Sequence, residues 1–364
     1  MPVAHLYLGL IPGEYIGWGI CSKYLIRELE KLIPVSVIGP NLAKGSVFGG
    51  KVFHTIGDHR LTKVIDVSGT ENYGYTFFEN LLSDDSMENA KAFDCIFAGS
   101  TWCREKLNEK GISWADVLIQ GIDPELFHPI HGEKPGARDH FVIYSGGKFE
   151  LRKAQDIVIR AVATLQERHR DVLFVNCWYN PWPFSMNTMA GSPLIDYKPQ
   201  KRFSIDYLKS VMSENGVDLN RTEFLPRIPQ HELRKIYACT DVGIFPNRCE
   251  GGTNLVLMEY MACGKPVVAT FSSGHKDILT DRNSLCIRSL KPIEVSNGSG
   301  RIEAVWEEPD LDDIIDKLEF AYLHRDQIRR IGFQAGEDMR CRTWAHMAGD
   351  LVNKLDLKRI PPEP

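Results

Sequence analysis

At 364 residues the chain is too long for one ordinary hydrophobic core and suits two domains of roughly 150 residues each. Its 43% hydrophobic and 25% charged residues exclude a disordered chain, and a net charge of −5 offers nucleic acid or an anionic membrane no overall attraction. Nine cysteines without a CxxC pair point to free thiols in a reducing cytoplasm, against a disulfide frame or a zinc site.

Taken in order, "VAHLYLGLI", "WGICSKYLIRELEKL" and "VSVIGP" read as strand, helix and strand. The apolar part of this N-terminus is too short for a signal peptide and has no basic leader, and no later stretch approaches about 18 uninterrupted apolar residues, so a cytoplasmic location is expected. "TKVIDVS" and "DCIFAGS" are further strands, "TWCREKLNEKGI" is a helix and "DVLIQGI" another strand, which completes one parallel α/β domain. Residues 123–140, rich in Pro, Gly and charge, read as a linker. The pattern then restarts with strand "FVIYSGG", helix "AQDIVIRAVATLQERH" and strand "DVLFVNCW". Helix "SIDYLKSVMSEN", "TEFLP", helix "HELRKIYACT" and strand "DVGIFP" follow. Residues 176–197 break this rhythm with large aromatics, Met, Pro and Gly, and fit either an excursion over a cleft or a packed surface loop. Without Lys or Arg before residue 198, that segment gives little support to peripheral membrane contact.

Near the end of the second half, every residue from Leu255 to Cys263 is apolar or aromatic except Glu259. Thr253 and Asn254 read as a helix start, Gly264 as its C-cap, and "PVVAT" as a buried strand. An unpaired carboxylate in such a unit costs several kcal/mol or more, so a compensating partner or ligand is expected.

Two Gly-bearing strand-to-helix turns, "GEYIGWGICSKYL" and "SGGKFELRKAQDIVI", allow close backbone approach and exposed N–H groups that favour phosphate. Neither is a clean dinucleotide-binding or Walker turn. Lys148 and Lys153 flank the second helix start at the carboxyl end of a strand, where open α/β sheets bind ligands, and suit a diphosphate. On the same edge, Glu250 sits beside a Gly-Gly turn, a carboxylate for sugar hydroxyls next to donors for phosphate.

Nearly the whole chain resembles glycosyltransferase family 4, the retaining GT-B group that uses nucleoside diphosphate sugars. The resemblance runs through "GWG", "FAGSTWCREKL", "GIDPELFHP", "GGKFELRKAQD", "RIPQHELRKIYACTDVGIFP" and "EGGTNLVLMEYMACGKPVV". It implies two Rossmann-like domains facing a cleft: residues 1–130 on the acceptor side, residues 138–338 binding the nucleotide sugar, and a helix at about 340–364 crossing back to the first.

By the same resemblance Lys148 takes the place of a diphosphate-binding Arg, and Lys153 matches the family's Lys. Gly17 and Gly147 lie in the two glycine turns. Glu250 resembles the acid near the transferred sugar, Glu259 the acid on the ribose, and Gly251, Gly252, Thr253 and Asn254 the turn that holds sugar and phosphate. Arg227 falls where the family places the base.

The implied reaction moves a sugar from UDP-, GDP- or ADP-sugar to a hydroxyl of a glycan or other acceptor. It needs no metal or other cofactor, since lysines can neutralise the leaving diphosphate. "SDDS", with Asp84 and Asp85, is the nearest metal-site rival and reads as a helix cap or turn.

Three departures from the family stand out. Eight residues separate Glu250 from Glu259 where seven are usual, Lys148 replaces the commoner Arg, and the first domain lacks the His many members carry near the reaction centre. Glu71 and Glu79 are the candidates to replace that His on the acceptor side. Three alternatives remain: a catalytically silent nucleotide-sugar-binding protein, a Rossmann oxidoreductase, for which the GxGxxG turn is missing, and a DNA-modifying transferase, against which the negative charge argues.

Overall fold

Two parallel sheets organise the chain in a computed structural model that describes residues 5–39, 42, 44–132, 134–136 and 139–357. The first sheet is built from β1 (Leu6–Gly9), β2 (Val35–Val37), β3 (Lys51–Gly57), β4 (Glu71–Thr76), β5 (Cys95–Ala98) and β6 (Ala115–Val117). Their spatial order is β2-β1-β3-β4-β5-β6, with Thr62–Lys63 pairing antiparallel to β3. The second contains β7 (Phe141–Lys148), β8 (Val172–Tyr179), β9 (Thr222–Phe224), β10 (Val242–Phe245), β11 (Val267–Thr270) and β12 (Leu285–Ile287), ordered β9-β8-β7-β10-β11-β12.

In each sheet the strand order reverses beside its first strand, between β1 and β3 and between β7 and β10, and such switch points open a crevice at the carboxyl ends of the strands. The loop after β1, Lys148 at the end of β7 and the segment after β10 therefore meet across one cleft.

Local chemistry accounts for the elements. Helix α1 (Gly17–Glu30) follows the first glycine turn, and α2 (Thr101–Glu109) is capped by Ser100 Oγ, which accepts from Cys103 N at 3.1 Å. Helix α3 (Gln155–Arg168) buries Ile157, Val158, Ala161, Val162 and Leu165, a stripe at helical spacing that seals one face of the second sheet. Helices α4 (Ile205–Glu214) and α5 (Gln230–Ala238) flank it, and α6 (Leu255–Ala262) ends at Gly264, whose φ of +75° favours glycine. After β12 an antiparallel hairpin, β13 (Leu290–Ser296) with β14 (Ile302–Pro309), projects toward the first half. Helices α7 (Leu311–Leu323), α8 (Arg325–Met339) and α9 (Trp344–Lys354) close the chain.

The two halves share a core. Met347 and Leu351 of α9 join Leu25, Leu29 and Phe53 of the first half and Leu257 and Met261 of α6 in one buried cluster. Tyr24 and Trp344 stack at 5.7 Å between centroids, and Lys354 meets Asp116 at 2.5 Å, so α9 packs on the first half. Residues 358–364 of the expected crossing helix lie outside the described residues.

Some expected elements differ. "TKVIDVS" forms no long strand, and its flanks supply only Thr62–Lys63 and Val67–Ser68. Strands β3 and β4 and the hairpin were not expected. β3 and β4 carry a buried His54 and a strand-interior Gly74, which break the apolar pattern a strand normally announces.

The return of the chain to the first half leaves no room at Gly121. A Cβ there would lie 2.2 Å from Thr343 C and Trp344 N, backbone atoms that cannot rotate away. Gly121→Ala should therefore lose about 1–3 kcal/mol, read as a clearly lowered Tm in a thermal scan. An unchanged Tm would show that α9 is not seated as described.

Candidate active site

Glu250, on the loop after β10, is 4% exposed and forms the centre of the site. Lys153 Nζ and Asn247 Nδ2 both donate to its Oε1, and the Arg152 guanidinium stands 3.2 Å from the same oxygen. Burial alone would raise the carboxyl's pKa, but Lys153 and Arg152 more than offset this and hold it down to about 2.

Arg152 is shared among three acids, at 2.7 Å from Glu150 and 3.3 Å from Glu79 besides Glu250, and also donates to Cys249 O at 2.8 Å. Lys148 Nζ is 2.9 Å from Glu150 and 5.3 Å from the Trp182 ring centroid. The irregular 176–197 segment explains that ring. After β8 it folds into a short helical turn, Pro183–Met186, whose Ser185 hydroxyl donates to Glu150.

The glycine turn seats flush on the first half. Ser100 Oγ donates to Gly251 O at 2.7 Å, Gly251 N donates to Glu79 at 3.3 Å, and a Cβ on Gly251 would come within 2.5 Å of Phe78 O. Gly252 faces Gln120. Behind the turn, Glu250 N donates to Ser273 Oγ at 2.8 Å. The Thr253 hydroxyl is 3.0 Å from Met258 Sδ, and Asn254, at φ +65°, caps α6 through Leu257 N.

Burial pushes His275 down to about 4, so its ring is neutral. Nδ1, 3.1 Å from Thr270 O, carries the proton, and Nε2 accepts from Asn254 Nδ2 at 3.3 Å. The Thr253 and Asn254 side chains are thus satisfied inside the fold, and the turn offers a ligand its backbone.

Glu259 has the compensating partner that its apolar surroundings call for. Its carboxyl does not look into open space: it is 4% exposed and accepts from Gln230 Nε2 at 2.6 Å, while Gln230 Oε1 accepts from the Tyr24 hydroxyl at 2.8 Å. Burial lifts its pKa to about 8, against a smaller lowering by Gln230.

Among the remaining expected residues, Arg227 is exposed and lies over Tyr15 and Tyr179, at 4.8 and 5.3 Å from the ring centroids. Gly17 is the exposed first residue of α1, and Gly147, at φ +124°, has open space where a side chain would stand. Glu79 joins the site, but Glu71 does not. Glu71 opens β4 at the amino end of the first sheet, 3.0 Å from Lys51 and 2.5 Å from the Tyr73 hydroxyl, a strand's length from the cleft. Asp85 precedes the short helix Ser86–Ala90, and Asp84 is exposed. Among the described residues no group of three or more His, Cys, Asp or Glu could hold a metal ion, and no helix is long and apolar enough to cross a membrane.

Residues 191–298 match the family Glycosyl transferases group 1. The chain is 30% identical over 246 residues to a D-inositol 3-phosphate glycosyltransferase of Stackebrandtia nassauensis, covering 65% of this chain and 47% of that protein. It is 28% identical over 176 residues to a GDP-mannose-dependent alpha-(1-6)-phosphatidylinositol monomannoside mannosyltransferase of Mycolicibacterium smegmatis, covering 45% of this chain and 40% of that one. The chain thus spans less than half the length of these curated relatives. In fold it is similar to Anabaena HepE, solved with UDP and glucose, at a TM-score of 0.66 and 14% identity over 97% of this chain and 99% of that one.

Over residues 191–298 the chain is similar to the group 1 glycosyl transferases. Its fold is GT-B. Within this site, three residues carry contacts that the sequence reading did not single out. Arg152 stood unremarked beside Lys153, although its place at the same helix start was a usable signal. Gln230 and His275 carried none, because only the packing of α5 and of the turn after β11 brings them to Glu259 and Asn254.

A neutral buried Glu259 has a pH signature. Its folded pKa, about 8, lies above the ordinary 4.5, so the stability it contributes is full below about pH 4.5 and is lost as pH rises toward 8. Glu259→Gln keeps the neutral form at every pH. Its Tm relative to wild type should therefore climb between pH 5 and pH 9, and a gap that stays constant would show that Glu259 is ionised throughout.

Proposed function

We propose that this chain transfers a sugar from a nucleoside diphosphate sugar to a hydroxyl acceptor with retention of configuration, in the synthesis of a glycan or glycoconjugate. The observation that carries this reading is the group Lys148, Arg152 and Lys153 at the carboxyl end of β7, directly across from the Glu250–Asn254 turn. The names of the relatives, one with GDP-mannose and one solved with UDP, support a nucleotide-sugar donor; UDP, GDP and ADP are the bases to test.

In this reading the donor lies along the β7/β10 crevice. Its diphosphate meets Lys148, Lys153 and backbone N–H groups of Gly147 and of the glycine turn, and its base lies toward Arg227. Glu250 orients the transferred sugar, and Glu259, with Gln230, lies on the ribose side. As the glycosidic bond breaks, charge grows on the leaving phosphate, which the lysines stabilise more than they stabilise the bound donor. The same phosphate takes the proton of the incoming hydroxyl on one face of the sugar, so no enzyme nucleophile is required. The lysines supply the positive charge that a metal ion would otherwise bring.

A second reading, a silent nucleotide-sugar-binding protein, is favoured by one observation: Lys153 and Glu250 already satisfy each other. Turnover separates the two.

Lys153→Ala should lower kcat about a hundredfold while leaving the Kd of the free nucleoside less affected. Steady-state transfer with a panel of donors, alongside thermal shifts with UDP, GDP and ADP, measures both, and unchanged turnover at saturating donor would remove Lys153 from the mechanism. Activity should also persist in EDTA. Loss there that Mg²⁺ or Mn²⁺ restores would assign the charge neutralisation to a metal instead.

A further inference from the structure

Glu79 is held from three sides by the second half of the chain. Its carboxylate is 3.3 Å from Arg152 and accepts from Gly251 N at 3.3 Å, and its backbone oxygen accepts from Trp306 Nε1 at 2.8 Å. Trp306 is 6% exposed and lies on β14, in a hairpin that joins neither of the two large sheets. The same hairpin takes Leu81 N onto Glu303 O at 2.8 Å, two residues beyond Glu79. The other contacts of Arg152, to Glu150, Glu250 and Cys249 O, lie within the second half. Of its three acids only Glu79 comes from the first half.

We propose that Glu79 is a positioning residue, whose grip by Arg152 and Trp306 closes the two halves and sets the Glu250 turn against the first half. This inference rests on the transferase reading. It replaces the expectation that Glu79 acts on the acceptor: the carboxylate is turned to the second half, where one of its oxygens, Oε1, is engaged by both a guanidinium and a backbone N–H. When the cleft opens, Glu79 must leave, and Arg152 keeps Glu150 and Glu250. Opening therefore strands no bare buried cation, which would otherwise make it prohibitively costly. Closure adds the Glu79 contacts and fixes Gly251, next to Glu250, at hydrogen-bond distance from the first half. The donor's sugar end is then framed by both halves only in the closed form.

Glu79→Gln and Trp306→Phe each remove part of this grip without leaving an uncompensated charge, and the double variant completes a cycle. Two readouts are needed. One is the fall in radius of gyration, by small-angle scattering, when the nucleoside diphosphate that gives the largest thermal shift is added. The other is kcat and KM for the donor. Each single variant should reduce the compaction and lower kcat/KM about tenfold. The double should be little worse than the weaker single, because both act on one closure step.

Turnover lost in Glu79→Gln with compaction intact would place Glu79 on the acceptor and overturn the proposal. Fully multiplicative losses, or a wild type that no nucleoside diphosphate compacts, would overturn it too. A wild type that compacts but transfers from no donor would instead refute the transferase reading, while the compaction of the two variants would still decide the role of Glu79.

Discussion

The buried contact between Lys153 and Glu250 is the constraint on which the site depends. Either charge alone at this depth would cost several kcal/mol, and each is tolerated because the other is there. Glu250 stands on the loop after β10 and Lys153 at the turn before α3, so the pair ties the two sides of the switch point together. Once tied, the turn from Gly251 to Asn254 has little freedom left. Ser273 holds its start, His275 holds its helix cap, and the first half meets its outer surface.

Electrostatic balance follows from the same pair. Lys148, Arg152 and Lys153 stand among Glu79, Glu150 and Glu250, so a diphosphate arriving here competes with resident carboxylates for cations. This arrangement holds the lysines in place before a ligand arrives, which is preorganisation, and it weakens the pull on any stray anion. The two acids, Glu250 before α6 and Glu259 within it, are set apart by their surroundings. Glu250, beside cations, is held ionised, whereas Glu259, in an apolar helix with only an amide for partner, is held neutral at moderate pH.

The halves are joined at more than the site. Helix α9 returns to lie on α1, and the β13–β14 hairpin reaches the segment after β4. The first contact is a stacked, buried aromatic pair within a shared core and resists separation. The second consists of a few hydrogen bonds at the cleft edge. A hinge on the α9 side and an opening on the hairpin side is the motion such an asymmetry permits.

Much of the architecture was legible in the amino-acid order, because it rests on local rules. Runs such as "FVIYS" and "DVGIF" can only be buried strands in such a chain, the stripe in α3 can only face a sheet, and Gly264 with Pro266 must end α6. The alternation of strands and helices, restarting after the linker at 123–140, then led to two parallel sheets, and position at strand ends singled out Lys148, Lys153 and Glu250. Strands β3 and β4 stayed hidden because their buried polar and glycine residues are satisfied by neighbours far along the chain, as His54 is by Asn72.

Pairing was decided only by the tertiary structure. Arg152, Glu79, Gln230 and His275 acquire their roles from residues 21 to 227 positions away. Glu71 and Glu79 looked alike as a sequence, yet Glu71 opens β4 and pairs with Lys51 of the first half, whereas Glu79 follows the other end of β4 and meets Arg152 of the second half. A charge's environment is a property of distance in space. Spacing along the chain sets that distance within a helix or strand and loses hold of it at the first loop.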